Sequence, residues 1–171
     1  MQATLYLAQW HLENGSPREA FTFFHAAARG GHPAAVNMLG RAYERGWGVK
    51  RNAAKAAKLF QRAAEAGDAW ARFNLADLFY LGDGVDPDRA RACALYAEAA
   101  RGGILPALNM LGILHEEGYG SHAPDPVAAR LFYRAAARQG DGNAKRNLMR
   151  LEASCADARE EAFGTCARAA V

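Results

Sequence analysis

Along most of this chain, apolar residues recur at helical spacing, and each periodic stretch stops at glycine. The segment AAVNMLGRAYERG, residues 34–46, sets Val36, Leu39 and Tyr43 on one face. It ends on the residue that best tolerates a left-handed C-terminal cap. A short loop follows, written GWGVKRN, GDGVDPD or GYGSHAPD at successive places, with proline or asparagine near the next helix start. A second kind of stretch then carries alanine, a leucine–aromatic pair and an alanine pair, again one helical face, as in LFQRAAEAG at 59–67. Each such unit reads as a helix hairpin. The spacing predicts helices near 2–14 and 17–30, 33–45 and 52–66, 69–81 and 87–102, 105–117 and 124–139, and a last one from about 142.

The hairpins repeat with a period of 36 residues. LFQRAAEAG at 59–67 returns as LYAEAARGG at 95–103 and as LFYRAAARQ at 131–139. At that spacing Phe24, Phe60, Tyr96 and Phe132 share a column, as do Ala20, Ala56, Ala92 and Ala128. The pairs Ala27-Ala28, Ala63-Ala64, Ala99-Ala100 and Ala135-Ala136 form another column. Leu39, Leu75 and Leu111 share a slot followed by Gly40, Ala76 or Gly112, and two glycine columns follow at Gly46, Gly82, Gly118 and Gly48, Gly84, Gly120. The units close at Gly30, Gly67, Gly102 and Gly140. Small residues such as Gly40 and Ala63 let paired helices approach to about 8–9 Å while the aromatic fills the space beside them. Periodicity of this length is the mark of a solenoid.

The segment Leu39-Gly40-x-x-Tyr43, the loops Gly46-x-Gly48-Val49 and Gly82-x-Gly84-Val85, and the ending Ala63-Ala64-x-x-Gly67 resemble the Sel1-like repeat family, a branch of the tetratricopeptide-like helical repeats. The resemblance covers nearly all of residues 1–152. It implies an all-α, right-handed superhelix of helix hairpins: one domain with hairpins at about 2–31, 33–67, 69–103 and 105–140. A capping helix at 141–163 and a tail at 164–171 would follow. A solenoid needs such a cap because its last repeat has no neighbour, and Leu148 and Leu151 mark the cap's inner face. His11, Phe79 and His115 stand where the family places tyrosine, and Ala76 where it places glycine. The first hairpin is shorter, with Leu7, Ala8 and His11 in the Leu-Gly-Tyr slots.

Composition adds little to this picture. The net charge is +3 over 171 residues, with acids and bases interspersed, unlike the basic stripe of a nucleic-acid binder. No run approaches the roughly 18 apolar residues a membrane span needs. The start, MQATLYLAQWHLENG, lacks the charged region of a signal peptide. The expected protein is a cytoplasmic monomer without cofactor.

Candidate chemistry is thin. No two histidines have the i, i+4 spacing that presents both to a metal. Cys93 falls where a small buried thiol belongs, and Cys155 and Cys166 would lie about 16.5 Å apart on a continuous helix, too far for a disulfide, whereas a break at Gly164 would fold the tail back and allow one. Glu116-Glu117 diverge by about 100° as helix neighbours, so they make no paired-acid site. The glycine doublets lack the lysine-serine of a phosphate loop. Neither a catalytic nor a metal site is expected. A hydrolase of the β-lactamase-like kind ascribed to some cysteine-rich Sel1-like proteins is the alternative, and the repeated cysteine pairs that would favour it are missing.

What remains is surface. In the family's architecture the first helix of each hairpin lines a concave groove, which implies binding of a partner protein or peptide. The second unit then offers Asn37, Arg41, Glu44 and Arg45, and the third offers Trp70, Phe73, Asn74, Asp77 and Tyr80. The fourth offers Asn109, Ile113 and Glu116, and the terminal helix Asn147 and Arg150. Asn74 and Asn147 can equally brace the hairpins. Trp70, Phe73 and Tyr80 stand out because their column-mates are small or polar: Ala34, Asn37 and Glu44, then Pro106, Asn109 and Glu116. Aromatics beside arginines are the composition of a binding hot spot, and Arg41 and Arg45 would favour an acidic segment. Trp47 and Tyr119, expected as exposed loop residues, are the second choice.

Overall fold

The computed structural model describes residues 2–154. Within them the chain is helical throughout: α1 (Gln2–Glu13), α2 (Pro17–Ala28), α3 (Pro33–Arg45), α4 (Ala53–Glu65), α5 (Ala69–Leu81), α6 (Arg89–Arg101), α7 (Leu105–Glu117) and α8 (Pro126–Arg138). A ninth helix, α9, begins at 142 and is described to 154. The periodicity therefore located every element, with ends that differ by one or two residues. Caps account for several starts. The side chains of Asn52, Asp68, Asp88 and Asp125 accept backbone N–H groups of the first turn of α4, α5, α6 and α8, and Asp141 does the same for Ala144 of α9. Each cap satisfies a donor that the helix cannot, worth about 1 kcal/mol.

The helices gather into two compact units, one ending at Ile104 and the other starting at Leu105. In the first, α1 pairs with α2, α3 with α4 and α5 with α6; α2 packs on α3, α4 on α5, and α3 meets α5. Its interior is built from the repeated columns: Ala20, Phe24, Ala56, Phe60, Ala92 and Tyr96 are all essentially inaccessible. Gly40 lies against the Phe60 ring, where a Cβ would come within 2.6 Å of a ring carbon. Gly84, at φ +71°, is needed twice over: the left-handed backbone favours glycine, and a Cβ would strike the backbone of Ala53 and Ala54.

The second unit pairs α7 with α8 and packs Tyr133, Ala129, Ala136, Ala144 and Leu151 into one cluster, with Leu105, Leu108, Ile113 and Leu148 against it. Leu148 and Leu151 of α9 thus face inward. The strict 36-residue register does not carry into α8. Tyr133, not Phe132, is fully buried, and Ala129 and Ala136, not Ala128 and Ala135, are the inaccessible alanines. Gly112 abuts the Tyr133 ring as Gly40 abuts Phe60, one residue further along the chain. The cause is the loop GYGSHAPD, one residue longer than GDGVDPD. The true period there is 37, from the left-handed Gly103 to the left-handed Gly140. Likewise the hairpins close on left-handed Gly31 and Gly103, not on Gly30 and Gly102.

The histidines in the tyrosine column are packing residues. His11 stacks on Phe23 at 5.1 Å and His115 on Phe132 at 5.0 Å. Burial lowers the His115 pKa, with Asp125 opposing and His122 assisting that shift. Cys93, expected inside, is half-buried, because it follows the inward Ala92 by one residue and so turns away from the core. Cys155, Cys166 and the tail from Gly164 lie outside the described residues. Among the described residues no helix is long and apolar enough to cross a membrane, and no three His, Cys, Asp or Glu side chains group as a metal site would need.

Candidate interaction site

Helix α5 buries Ala71, Leu75, Ala76, Leu78 and Phe79. Its opposite face, at i, i+3, i+4 and i+7, carries Trp70, Phe73, Asn74 and Asp77. Helix α3 presents Ala34, Asn37, Met38, Arg41, Glu44 and Arg45 toward them, and together with Asp68 these residues enclose a cleft of about 470 Å³. Its floor is polar. Asn37 is 6% exposed and its Oδ1 accepts the Asn74 Nδ2–H at 2.8 Å, so this asparagine pair ties α3 to α5. One wall is aromatic: Trp70 remains 50% exposed and meets Phe73 edge-on at 5.8 Å. Phe73 in turn rests edge-on against Tyr96 of α6 at 5.5 Å.

The carboxylate at the end of this face sits in an unusual position. Tyr96 is fully buried, and its hydroxyl donates to Asp77 Oδ1 at 2.5 Å. Burial pushes the Asp77 carboxyl up to about 6; the Tyr96 hydrogen bond pulls it down, the Glu44 carboxylate pushes it further up, and Arg45 pulls it down. The Tyr96 hydroxyl is itself pushed far above its ordinary range by burial and by the Asp77 charge. The two arginines of α3 already have partners within the chain. Arg45 lies 3.5 Å from Glu44, and the Arg41 guanidinium covers the Trp47 ring at 5.2 Å.

Of the residues singled out in the sequence, Asn37, Arg41, Glu44, Arg45, Trp70, Phe73, Asn74 and Asp77 thus meet at one cleft. Tyr80 does not line it and sits under the Arg89 guanidinium instead, at 5.2 Å. The expected patch of three aromatics is therefore two. Trp47 and Tyr119 are not freely exposed. Trp47 packs on Phe24, and Tyr119 stacks on His122 and meets His115 edge-on. Tyr96 stands in a packing column of the repeat, yet its buried hydroxyl also serves the cleft. The available signal was the change from phenylalanine to tyrosine in the Phe24, Phe60 column, since a buried hydroxyl requires a partner. Asp68 was readable only as a helix cap, and Met38 carried no signal beyond its column.

The remaining candidates belong to the second unit and have protein partners. Asn109, 9% exposed, accepts the Asn147 Nδ2–H at 3.0 Å, the counterpart of the Asn37–Asn74 tie. Glu116 receives both terminal nitrogens of Arg150, at 2.7 and 2.6 Å, and the Tyr133 hydroxyl at 2.8 Å. Arg150's hydrogen bonds hold the Glu116 carboxyl below its usual range, with Tyr133 assisting and burial opposing. Ile113 packs against the core of this unit and is not a free contact.

Repeated hairpins with a small residue under each buried aromatic define an all-α helical-repeat solenoid of the Sel1-like type. The chain belongs to the Sel1 repeat family: its family model matches residues 2–32, 33–68, 71–104 and 105–141. Similar solved structures include a Sel1 repeat protein from Oxalobacter formigenes, at 29% identity and TM-score 0.78, covering 85% of this chain and 60% of that one. Another is a protective antigen of uropathogenic Escherichia coli strains with the same fold, at 31% identity and TM-score 0.74, covering 86% of this chain and 32% of that one. The chain therefore spans less than two thirds of either. A structure from Klebsiella pneumoniae subsp. pneumoniae, at 17% identity and TM-score 0.51, covers 88% of this chain and 92% of that one, and shows the fold alone. No curated protein matches the chain.

Proposed function

We propose that this protein is a non-catalytic adaptor that binds an extended segment of a partner protein in the cleft between α3 and α5. The observation that carries this reading is Trp70. A large aromatic half-open to water beside a buried polar floor costs solvation, and a partner side chain laid on it relieves that cost. The cleft offers what a peptide site needs: an aromatic wall, an asparagine pair that holds its two helices in register, and charges at one end to fix orientation. Sel1 repeats are typically interaction modules, in keeping with such a role. Selection from a displayed random-peptide library tests the reading. Selected peptides should lose about 2 kcal/mol or more of affinity with Trp70→Ala while helicity is unchanged. The outer-face variant Arg62→Ala should bind them as the parent does. Peptides that bind Trp70→Ala and the parent equally would place the site elsewhere.

A further inference from the structure

The corrected repeat register allows the two units to be compared position by position. Glu44 of α3 and Glu116 of α7 occupy the same repeat place, as do Asp77 of α5 and Arg150 of α9. The asparagine ties confirm the alignment, since Asn37–Asn74 and Asn109–Asn147 are the same pair of places. In the second unit the glutamate is answered within the chain, because the Arg150 guanidinium grips both Glu116 oxygens. In the first unit the place of that arginine is taken by a carboxylate. Asp77, whose carboxyl is pushed up mainly by burial, therefore faces the Glu44 carboxylate, which pushes it further up, while Arg45, 3.5 Å from Glu44, opposes that rise more weakly.

We propose that the α3–α5 cleft accepts an arginine side chain from the partner, its guanidinium reaching Glu44 and Asp77 and its stem lying along Trp70 and Phe73. This rests on the reading of the cleft as a peptide site and names what enters it. Three observations converge on a cation and not on the acidic segment that Arg41 and Arg45 suggested in the sequence. Arg41 is stacked on Trp47, and Arg45 is paired with Glu44, so neither is directed at a ligand carboxylate. The acids Asp68, Glu44 and Asp77 outnumber the bases around the cleft. The exposed Trp70 suits a planar, weakly hydrated guanidinium better than a compact ammonium, because a guanidinium can stack on the ring while its edge donates to carboxylates.

Peptide pools with one fixed central residue and randomised flanks, immobilised and probed with the full chain, test this directly. The arginine pool should retain about tenfold more protein than pools fixed with citrulline or glutamate, because citrulline keeps the shape and removes the charge. Asp77→Arg, which copies the second unit's arrangement, should reduce arginine-pool binding to the citrulline level. Asp77→Asn, close in shape, should do so in part and guards against a folding defect. The arginine preference should also fade from pH 7 to pH 5 as Asp77 takes up a proton. Tyr96 from α6 and Glu44 and Arg45 from α3 face that carboxyl. An arginine pool retained no better than citrulline, or unaffected by Asp77→Arg, overturns the proposal. If all pools bind alike and all lose binding with Trp70→Ala, the arginine assignment fails while the peptide cleft stands. If no pool binds, both fall.

Discussion

Helices α3 and α5 in the first unit and α7 and α9 in the second are joined by the same asparagine pair, yet their charges are arranged in opposite ways. The second unit answers its glutamate with Arg150 and a tyrosine hydroxyl, and the result is a satisfied, depressed carboxyl. The first unit sets Asp77 against Glu44, gives it one tyrosine hydroxyl, and leaves its carboxyl raised to about 6. A repeat protein builds each unit from one template, so a difference of this kind at equivalent places is informative. One arrangement is complete within the chain and serves stability. The other leaves a buried carboxyl only partly compensated, a departure from the repeat of the kind that functional sites show.

The largest test concerns the alignment on which this comparison depends. Ala136 is inaccessible, so Ala136→Arg should destabilise by several kcal/mol through overpacking and a buried charge. Ala135→Arg should cost less than about 1 kcal/mol, because the equivalent places in the two preceding hairpins already hold the charged residues Glu98 and Arg62. Equal losses in urea denaturation would restore the uniform period and dissolve the pairing of Asp77 with Arg150.

Next come the two tyrosines. Tyr96→Phe removes a hydroxyl that donates to Asp77, and at pH 7 it should cost about 1–3 kcal/mol. Tyr133→Phe should cost less, because Glu116 keeps both Arg150 hydrogen bonds. Similar costs would mean that the two carboxylates are equally well served.

The pH dependences should have opposite signs. The folded pKa of Asp77 lies above its ordinary value, so its linked stability is fully present at low pH and is lost as pH rises through about 6. Asp77→Asn should therefore raise Tm by a few degrees at pH 7 and leave it unchanged at pH 4. The folded pKa of Glu116 is depressed, so its contribution is present above the ordinary carboxylate value and lost as pH falls below it. Arg150→Ala is the smallest effect. It should cost no more than about 1 kcal/mol at pH 7, since the pair is partly exposed, and nothing near pH 3.

Most of the architecture was legible in the sequence because helix formation and hairpin pairing are local. The columns of alanine, leucine and glycine stated which faces turn inward, and proline or asparagine marked where helices start, as Asn52 and Pro126 do for α4 and α8. The cleft was legible in part. Trp70 and Phe73 broke the pattern of their columns, and a residue that breaks a repeat without helping the core is available for something else. By itself the sequence could not say that Tyr80 turns to Arg89 or that Arg41 covers Trp47. Each of these depends on which side chain best fills a shared space, whereas the entry of Tyr133 into the core follows from one extra loop residue, enough to rotate a helix by about 100°. Hairpins and their order follow from local spacing. The pairing of charges across α3 and α5, and hence the character of the cleft, was decided only when packing brought residues 33 positions apart to face one another.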